Sequence, residues 1–500
     1  DAADDDDNDD DDDVEFAPDP LNAEDLLNAA LCAADIDDDD ESVEAGGAAG
    51  AASDASDTDT DDDGGAAAGA GGGSGGEDGM VDLEDLGHVM GAAEETKKAE
   101  AAALATGTRS EMVTPAQRKK LTKEGYKLIG SHSGVKLCRW TKNQLRGRGG
   151  CYKHTCYGIT SYQCMEATPS LACANKCVFC WRHNSHPVGR EWRWQTDEPE
   201  RIVEEAISKH RAMIKTLRGV PGVQMDRWNA AFDIQHCALS LVGEPIMYPH
   251  INTVLRLLHA RKISTFLVTN AQFPERIKEL DPVTQLYVSV DAATKDRLKA
   301  IDRPLFSDFW ERFLSSLDNL RDKGVRTVYR LTLVKDWNMS EVEEYAALLE
   351  RGQPDFIEIK AVTYSGNSAT STLTMANVPW HDDVRAFATA IAKRAGGTYG
   401  LACEHRHSCL VLLAKRDPFF VDGSWHTWID YPRFHELSAR YYASGGAETF
   451  TSKEYMAPTP AWALWDAPEE GFSPAEVRYR RTKTGKMEPQ SYKPSDSGCG

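Results

Sequence analysis

No stretch of the 500 residues reaches the run of about eighteen apolar side chains that a membrane-spanning helix requires, and no basic-then-apolar leader opens the chain, which begins instead on an acidic run at Asp1. A membrane partner is therefore not expected, and the reading favours a cytoplasmic protein. There is no initiating Met either, which leaves a truncated N-terminus open. Cysteine is too sparse for a disulfide scaffold: twelve in 500 residues. Seven of the twelve (Cys138, Cys151, Cys156, Cys164, Cys173, Cys177 and Cys180) nevertheless crowd into one short segment. Without a secretory signal, such crowding points to metal ligation and away from disulfide bridging.

Charge is just as unevenly spread. The first 100 residues hold 35 Asp and Glu against 2 Lys, a net of −33, so the chain's −23 leaves +10 for the remaining 400. An acidic tail thus masks a basic body, which suits a polyanionic partner without requiring one. Residues 1–78 alternate Asp runs with Ala/Gly tracts such as Gly64–Gly76. They offer too little apolar surface to offset the entropy lost on folding, and are expected to be a disordered linker. Residues 79–113 form a weakly ordered connector, with an apolar–acidic island at Met80–Leu86 and weak helical character over 93–105.

From Thr114 the chain reads as alternating helices and strands. Pro115 can open a helix running to Lys123. Strands are expected at Cys164–Pro169, His236–Val242, Ser264–Thr269, Leu286–Val290, Arg326–Val334 and Phe356–Val362, with a further one at Leu410–Leu413. Between them lie helices over Pro199–Arg218, Ile251–Ala260, Leu305–Arg321 and Val384–Arg394; another, after Arg326–Val334, starts at a capping box of Ser340 with Glu343. Repeated β–α alternation implies parallel strands covered by helices. The fold class is therefore α/β: a partial (β/α)6-type barrel preceded by a disordered acidic segment, its reactive centre at the strands' C-terminal ends. An auxiliary segment over 114–165, a barrel over 166–415 and a C-terminal extension over 416–500 complete the scheme.

Cys173, Cys177 and Cys180 offer three thiolates from one loop after the first barrel strand. Three ligands on a four-iron cluster leave one iron open for chemistry, whereas a zinc knuckle would need a fourth ligand such as His183. Phe179 beside Cys180 and the barrel downstream favour the [4Fe-4S] cluster and S-adenosyl-L-methionine (SAM). Cys138, Cys151 and Cys164 are separated by twelve residues each. Equal spacing suggests a second, auxiliary [4Fe-4S] cluster, though chance spacing is a standing alternative.

The segment CMEATPSLACANKCVFCWRHNSHPVGREWRWQTDEP (164–199) resembles the cluster region of the tRNA 4-demethylwyosine synthases, radical SAM enzymes of wybutosine biosynthesis. The similarity continues through LVGEPIMYPHIN (241–252), FLVTNAQFP (266–274), LYVSVDA (286–292), EIKAVTY (358–364), LTMANVPWH (373–381) and WIDYPRF (428–434), and covers residues 80–495. The spacing of Cys138, Cys151 and Cys164 matches that family's auxiliary-cluster pattern. The resemblance implies a carbon–carbon lyase acting on 1-methylguanosine beside the anticodon of tRNA-Phe. Hydrogen is removed from the N-methyl group, the carbon adds to pyruvate, the carboxyl carbon is lost and the tricyclic base closes.

By position, Lys153 matches the family lysine proposed to form a Schiff base with pyruvate; the other family proposal places pyruvate on the auxiliary cluster's open iron. SAM contacts are expected from Gly243 and Glu244 after a strand, with Asn270, Ser289, Asp291 and Lys360 closing later strands. Many eukaryotic members carry an N-terminal flavodoxin-like FMN module. Acidic linker stands here where that module would end, so no FMN is assigned to this chain, and electrons would come from an external or truncated-away flavodoxin-type donor. For tRNA the candidates are Arg118, Lys119, Lys120, Lys123 and Lys127 on one helix, and Arg139, Lys142, Arg146 and Arg148 around the auxiliary cysteines. The C-terminal stretch adds Arg478, Arg480, Arg481, Lys483, Lys486 and Lys493, interleaved with Tyr479 and Tyr492 for base stacking. Two other readings remain: a radical SAM enzyme with another substrate, and a non-catalytic zinc nucleic-acid-binding protein.

Overall fold

The computed structural model describes residues 109–180, 186–366, 371–481 and 487–490. The linker expected over 1–78, the island Met80–Leu86, the stretch 93–105 and His183 lie outside the described residues. A ten-stranded sheet organises the rest, in the order β1-β2-β3-β4-β5-β6-β7-β8-β10-β9. Its strands are β1 (Lys127–Ile129), β2 (Ser133–Lys136), β3 (Cys164–Thr168), β4 (His236–Leu239), β5 (Ser264–Thr269), β6 (Gln285–Ser289), β7 (Arg326–Leu333), β8 (Phe356–Ala361), β9 (Tyr399–His405) and β10 (Leu410–Lys415).

The six central strands, β3 to β8, are all parallel. Both faces of these strands are covered, so β5 (STFLVT) buries five of its six residues, the near-continuous apolar run expected of a parallel strand. Antiparallel strands flank them, β1 and β2 on one side and β10 and β9 on the other.

The helices of six residues or more, in chain order, are α1 (Pro115–Lys123), α2 (Arg139–Leu145), α3 (Tyr152–Tyr157), α4 (Pro199–Thr216), α5 (Met225–Ala230), α6 (Ile251–Ala260), α7 (Pro274–Glu279), α8 (Lys295–Asp302), α9 (Phe309–Arg321), α10 (Val342–Gly352), α11 (His381–Arg394) and α12 (Tyr431–Ala443). Those covering the sheet are amphipathic: α4 buries Ile202, Val203, Ala206, Met213 and Ile214, and α6 buries Ile251, Val254, Leu255 and Leu258. Each such side chain contributes roughly 1.5–3 kcal/mol of transfer free energy.

Register aligns the inward side chains in layers. Gln285 pairs with Arg326; Tyr287 with Val328, and Val328 with Phe356; Ser289 with Arg330, and Arg330 with Glu358; Thr332 with Lys360. The short helix α3 fills the inside of this curved sheet, with the Tyr157 ring 6.4 Å from Tyr287 and 5.8 Å from Phe356. At the N-terminal end of the strands the C-terminal extension forms a floor. There the buried Tyr455 hydroxyl donates to the Thr284 carbonyl at 3.1 Å and accepts the Arg326 N–H at 2.9 Å.

Three local expectations are corrected. The strand expected over His236–Val242 ends at Leu239, because the chain must turn before Gly243, whose φ is +75°. The Ser340–Glu343 capping box does not form: the N-cap is Glu341, and without a side-chain cap bond. Tertiary partners take both carboxylates, Ala293 N–H and Thr294 hydroxyl binding Glu341 and Arg394 binding Glu343. The helix expected from Leu305 starts at Phe309, preceded by a separate helix, α8, that the sequence reading passed over.

Candidate active site

The loop after β3 carries Cys173, Cys177 and Cys180. It is held from two sides: Cys173 N–H donates to Pro187 O at 3.1 Å, and Lys176 and Val178 N–H donate to Asp302 O and Ile301 O at 3.0 and 2.9 Å. Beneath it runs the turn at Gly243. A Cβ there would sit 1.9 Å from Ser170 O, so only glycine fits. The next residue, Glu244, donates its N–H to Ala172 O at 2.7 Å. Its Oε2 accepts the Asn270 N–H at 2.8 Å, and the Asn270 amide reaches Cys173 Sγ at 3.5 Å. Gly243, Glu244, Asn270 and the cysteine loop thus converge. Glu244 is buried, its Oε1 has no hydrogen-bond partner, and burial pushes its carboxyl up to about 8. A buried carboxyl with an unspent oxygen suits a ligand that brings N–H donors and positive charge, as the SAM amino group does.

Two further acids stand on the same side. Burial raises Asp291 to about 6 and raises Asp302 well above the carboxylate range, with Asp291 adding to the latter. Asp302 Oδ2 accepts from the Asn175 amide at 3.5 Å, and among the described residues one oxygen of each acid lacks a hydrogen-bond partner. Cys177 is itself pushed up, by burial first and by Asp302 second. As thiolates these sulfurs need a compensating cation, which iron would supply.

Cys138 and Cys151 precede α2 and α3 as their N-caps, and Cys164 begins β3. They come within electrostatic reach of one another: Cys138 is raised by burial, then Glu166, with Cys151 and Cys164 adding. Burial pushes Cys164 to about 12 and raises Cys151, in both cases against the pull of Lys153. Among the described residues no three His, Cys, Asp or Glu side chains close on a single metal-ion position.

Lys153 projects from α3 with Nζ 5.3 Å from the centre of the Tyr287 ring. Around it lies a set of polar side chains that the sequence reading missed. Glu358 accepts hydroxyls from Tyr157 at 2.8 Å and Tyr152 at 3.2 Å. Burial raises Glu358, while Arg330 and then Lys153 hold it down. The signal was present: Arg330 and Glu358 are charges at inward positions of mostly buried strands. Lys360 closes β8, where burial, Arg330 and Arg139 press it down to about 8; its Nζ donates to Ala361 O and Thr363 Oγ1. Lys360 and Ser289 therefore lie near Arg330, apart from the group formed by Gly243, Glu244 and Asn270.

On α1, Arg118 pairs with Glu111 and Lys120 lies 4.0 Å from Glu124, whereas Lys119 and Lys123 are exposed; Lys127, expected on the same helix, instead opens β1 after the turn at Gly125, and is exposed there. Arg139 lies 5.2 Å over the Trp140 ring. Arg478–Arg481 forms a strand paired with Met487–Gln490; Lys483, Lys486, Tyr492 and Lys493 lie outside the described residues. No helix among the described residues is long and apolar enough to cross a membrane.

Residues 168–349 match the model of the radical SAM superfamily, and residues 351–415 that of wyosine base formation. The chain is 62% identical over 408 residues to an S-adenosyl-L-methionine-dependent tRNA 4-demethylwyosine synthase of Oryza sativa subsp. japonica, covering 81% of this chain and 62% of that protein. It is 58% identical over 419 residues to its counterpart of Homo sapiens, covering 81% and 57%. This chain therefore spans about six-tenths of the length of these curated relatives. A solved structure of TYW1 with a lysine-pyruvate adduct bound superposes with a TM-score of 0.55 at 30% identity, over 61% of this chain and 97% of that one. An archaeal TYW1 crystal structure gives 0.50 at 28% identity, over 61% and 98%.

Proposed function

The chain belongs to the tRNA 4-demethylwyosine synthase family of radical SAM proteins, and from that premise we propose that it converts 1-methylguanosine beside the anticodon of tRNA-Phe, with pyruvate, into 4-demethylwyosine. The reaction is that of a carbon–carbon lyase, since the pyruvate C1–C2 bond is broken. A [4Fe-4S] cluster with SAM supplies the 5′-deoxyadenosyl radical. Cys173, Cys177 and Cys180 would hold that cluster, and Gly243, Glu244, Asn270 and Asp291 would hold SAM. Cys138, Cys151 and Cys164 would hold an auxiliary cluster. Electrons would come from a flavodoxin-type donor.

The observation that carries this reading is the position of Lys153. Its amine lies inside the sheet, beside Tyr287 and within the field of Cys151, Cys164, Glu166 and Glu358. There it can add to the C2 carbonyl of pyruvate, the carbonyl oxygen leaving as water and an imine forming. The adduct in the related TYW1 structure supports the same role. Reconstituted protein given SAM, pyruvate, a reductant and methylated tRNA-Phe should yield the tricyclic nucleoside by mass spectrometry, with about eight irons per chain. Lys153→Arg should keep the iron and slow SAM cleavage but form no tricyclic base, because arginine stays protonated and makes no imine. Normal product from that variant would remove the Schiff base; zinc in place of iron and sulfide would remove the enzyme.

A further inference from the structure

Arg330 occupies the middle layer of the lumen on β7, beside Ser289 on β6 and Glu358 on β8. Cations inside barrels are ordinarily spent on a neighbour, and the obvious neighbour here is Glu358. Each of its oxygens accepts a tyrosine hydroxyl instead, from Tyr157 at 2.8 Å and Tyr152 at 3.2 Å. The residue as a whole is only partly buried. Among the described residues, no side chain gives it an ion pair within 4.0 Å or a hydrogen bond. Field alone holds it, from Tyr152, Glu358, Asp291 and Tyr287. It therefore keeps its five-donor fork aimed into the lumen.

The Lys153 amine approaches the same place from α3. Glu358 lies in the field of both cations, and the Lys153 ammonium rests against Tyr287, one layer below Arg330. An amine and a guanidinium that both act on one carboxylate, from adjacent layers of the lumen, match the two ends of a 2-oxo acid. The amine meets the carbonyl carbon, and the fork receives the carboxylate through two parallel N–H···O bonds.

Two other anions fit less well. The SAM pocket forms at the ends of β4 and β5 around Gly243, Glu244 and Asn270, two and three strands from β7 in the sheet order. An RNA phosphate would have to bring its sugar backbone down to the Ser289–Arg330–Glu358 layer. A two- or three-carbon acid reaches that depth without it.

We propose that Arg330 is the carboxylate-binding residue for the 2-oxo acid that condenses with Lys153. The inference rests on the reading of Lys153 given above, and its test separates the two. Calorimetric titration of reconstituted enzyme with pyruvate, and with the uncharged pyruvamide, measures the Arg330 contribution; borohydride trapping and peptide mass mapping report on Lys153. Arg330→Met should raise the pyruvate Kd on the order of 10–100-fold, the range for hydrogen bonds to a charged group. It should leave pyruvamide binding unchanged and the SAM Kd within about two-fold, since the bidentate contact is made to the pyruvate carboxylate. Arg330→Lys, which keeps the charge but not the fork, should fall between, and serves as the measurement if the Met variant does not fold.

An unchanged pyruvate Kd in either variant overturns the assignment, as does wild-type protein that does not bind pyruvate. A SAM Kd that rises in step would give the guanidinium to the SAM carboxylate instead. Wild type that binds pyruvate in an Arg330-dependent way, yet traps no adduct, would retain this inference and discard the imine.

Discussion

Arg326 and Arg330 stand one layer-pair apart on the same strand and face the same lumen, yet they live in opposite conditions. Arg326 is fully buried; its guanidinium donates to Gln285 Oε1 at 2.9 Å and to the carbonyls of Thr427 and Trp428. Rings of Phe356, Phe419 and Tyr157 lie 4.4, 5.4 and 5.8 Å from it. Arg330 has charged neighbours but, among the described residues, no bonded partner. The lower lumen is satisfied and therefore structural. The upper lumen carries unspent donors and acceptors (Arg330, Glu244 Oε1, Asp291 Oδ1) and is built for something that arrives.

The largest effect should come from testing that contrast directly. Arg326→Met removes the partner of several buried oxygens and should cost about 3–5 kcal/mol, as breaking a buried charged network does. Arg330→Met should cost no more than about 1 kcal/mol. Urea unfolding of both variants measures this. Equal losses would erase the distinction between the two layers.

How much of this was legible before the structure depends on which physical signal each residue emits. Cys173, Cys177 and Cys180 announce themselves because three thiols stand close together on one loop, and Gly243 because only glycine tolerates that backbone. The six parallel strands are visible because burial on both faces leaves continuous apolar runs. Arg330 and Glu358 sit in β7 and β8 among other polar residues (Arg326, Thr332, Lys360), where the strand pattern does not say which charge is structural and which is not. The role of Tyr455 depends on a contact with Thr284, 171 residues away, and no local pattern encodes it. The Ser340–Glu343 box failed for the converse reason: a good local signal lost to stronger tertiary partners for Glu341 and Glu343.

A second test sets the helical layer outside the sheet against the site, through the sign of their pH dependence. His210, buried on α4 with neither ring nitrogen bonded, is pushed down to about 4 by burial. The unfolded chain takes up that proton near pH 6.5 and the folded chain does not, so stability falls as pH drops from 6.5 towards 4. The size is roughly 3 kcal/mol. Asp291 at the site, raised to about 6 by burial, works in reverse: its contribution is whole below about pH 4 and is lost as pH rises through 6. Urea midpoints against pH should show a weaker acid limb in His210→Leu and a weaker loss above pH 4 in Asp291→Asn. Identical profiles for wild type and both variants would contradict the assigned directions.

The smallest effect carries the same contrast to the surface of α1. Arg118 is engaged with Glu111 at 3.2 Å, while Lys119 and Lys123 are exposed and, among the described residues, form no ion pair or hydrogen bond. A cation that contacts an RNA phosphate releases a counterion, and its loss lowers the slope of log affinity against log salt by roughly 0.7–0.9. Lys119→Ala and Lys123→Ala should each lower the slope for tRNA-Phe by about that amount while leaving the melting temperature alone, because exposed lysines contribute little to stability. Arg118→Ala should change the slope less, since its charge is already partly neutralised by Glu111. If Arg118→Ala lowers the slope as much as the two lysine variants, the Glu111 pair opens on binding, and freedom from a partner would not be what marks a functional cation on this helix. If none of the three changes it, α1 faces away from the RNA, and the phosphate contacts must come from Arg139 and the other cations near the auxiliary cysteines.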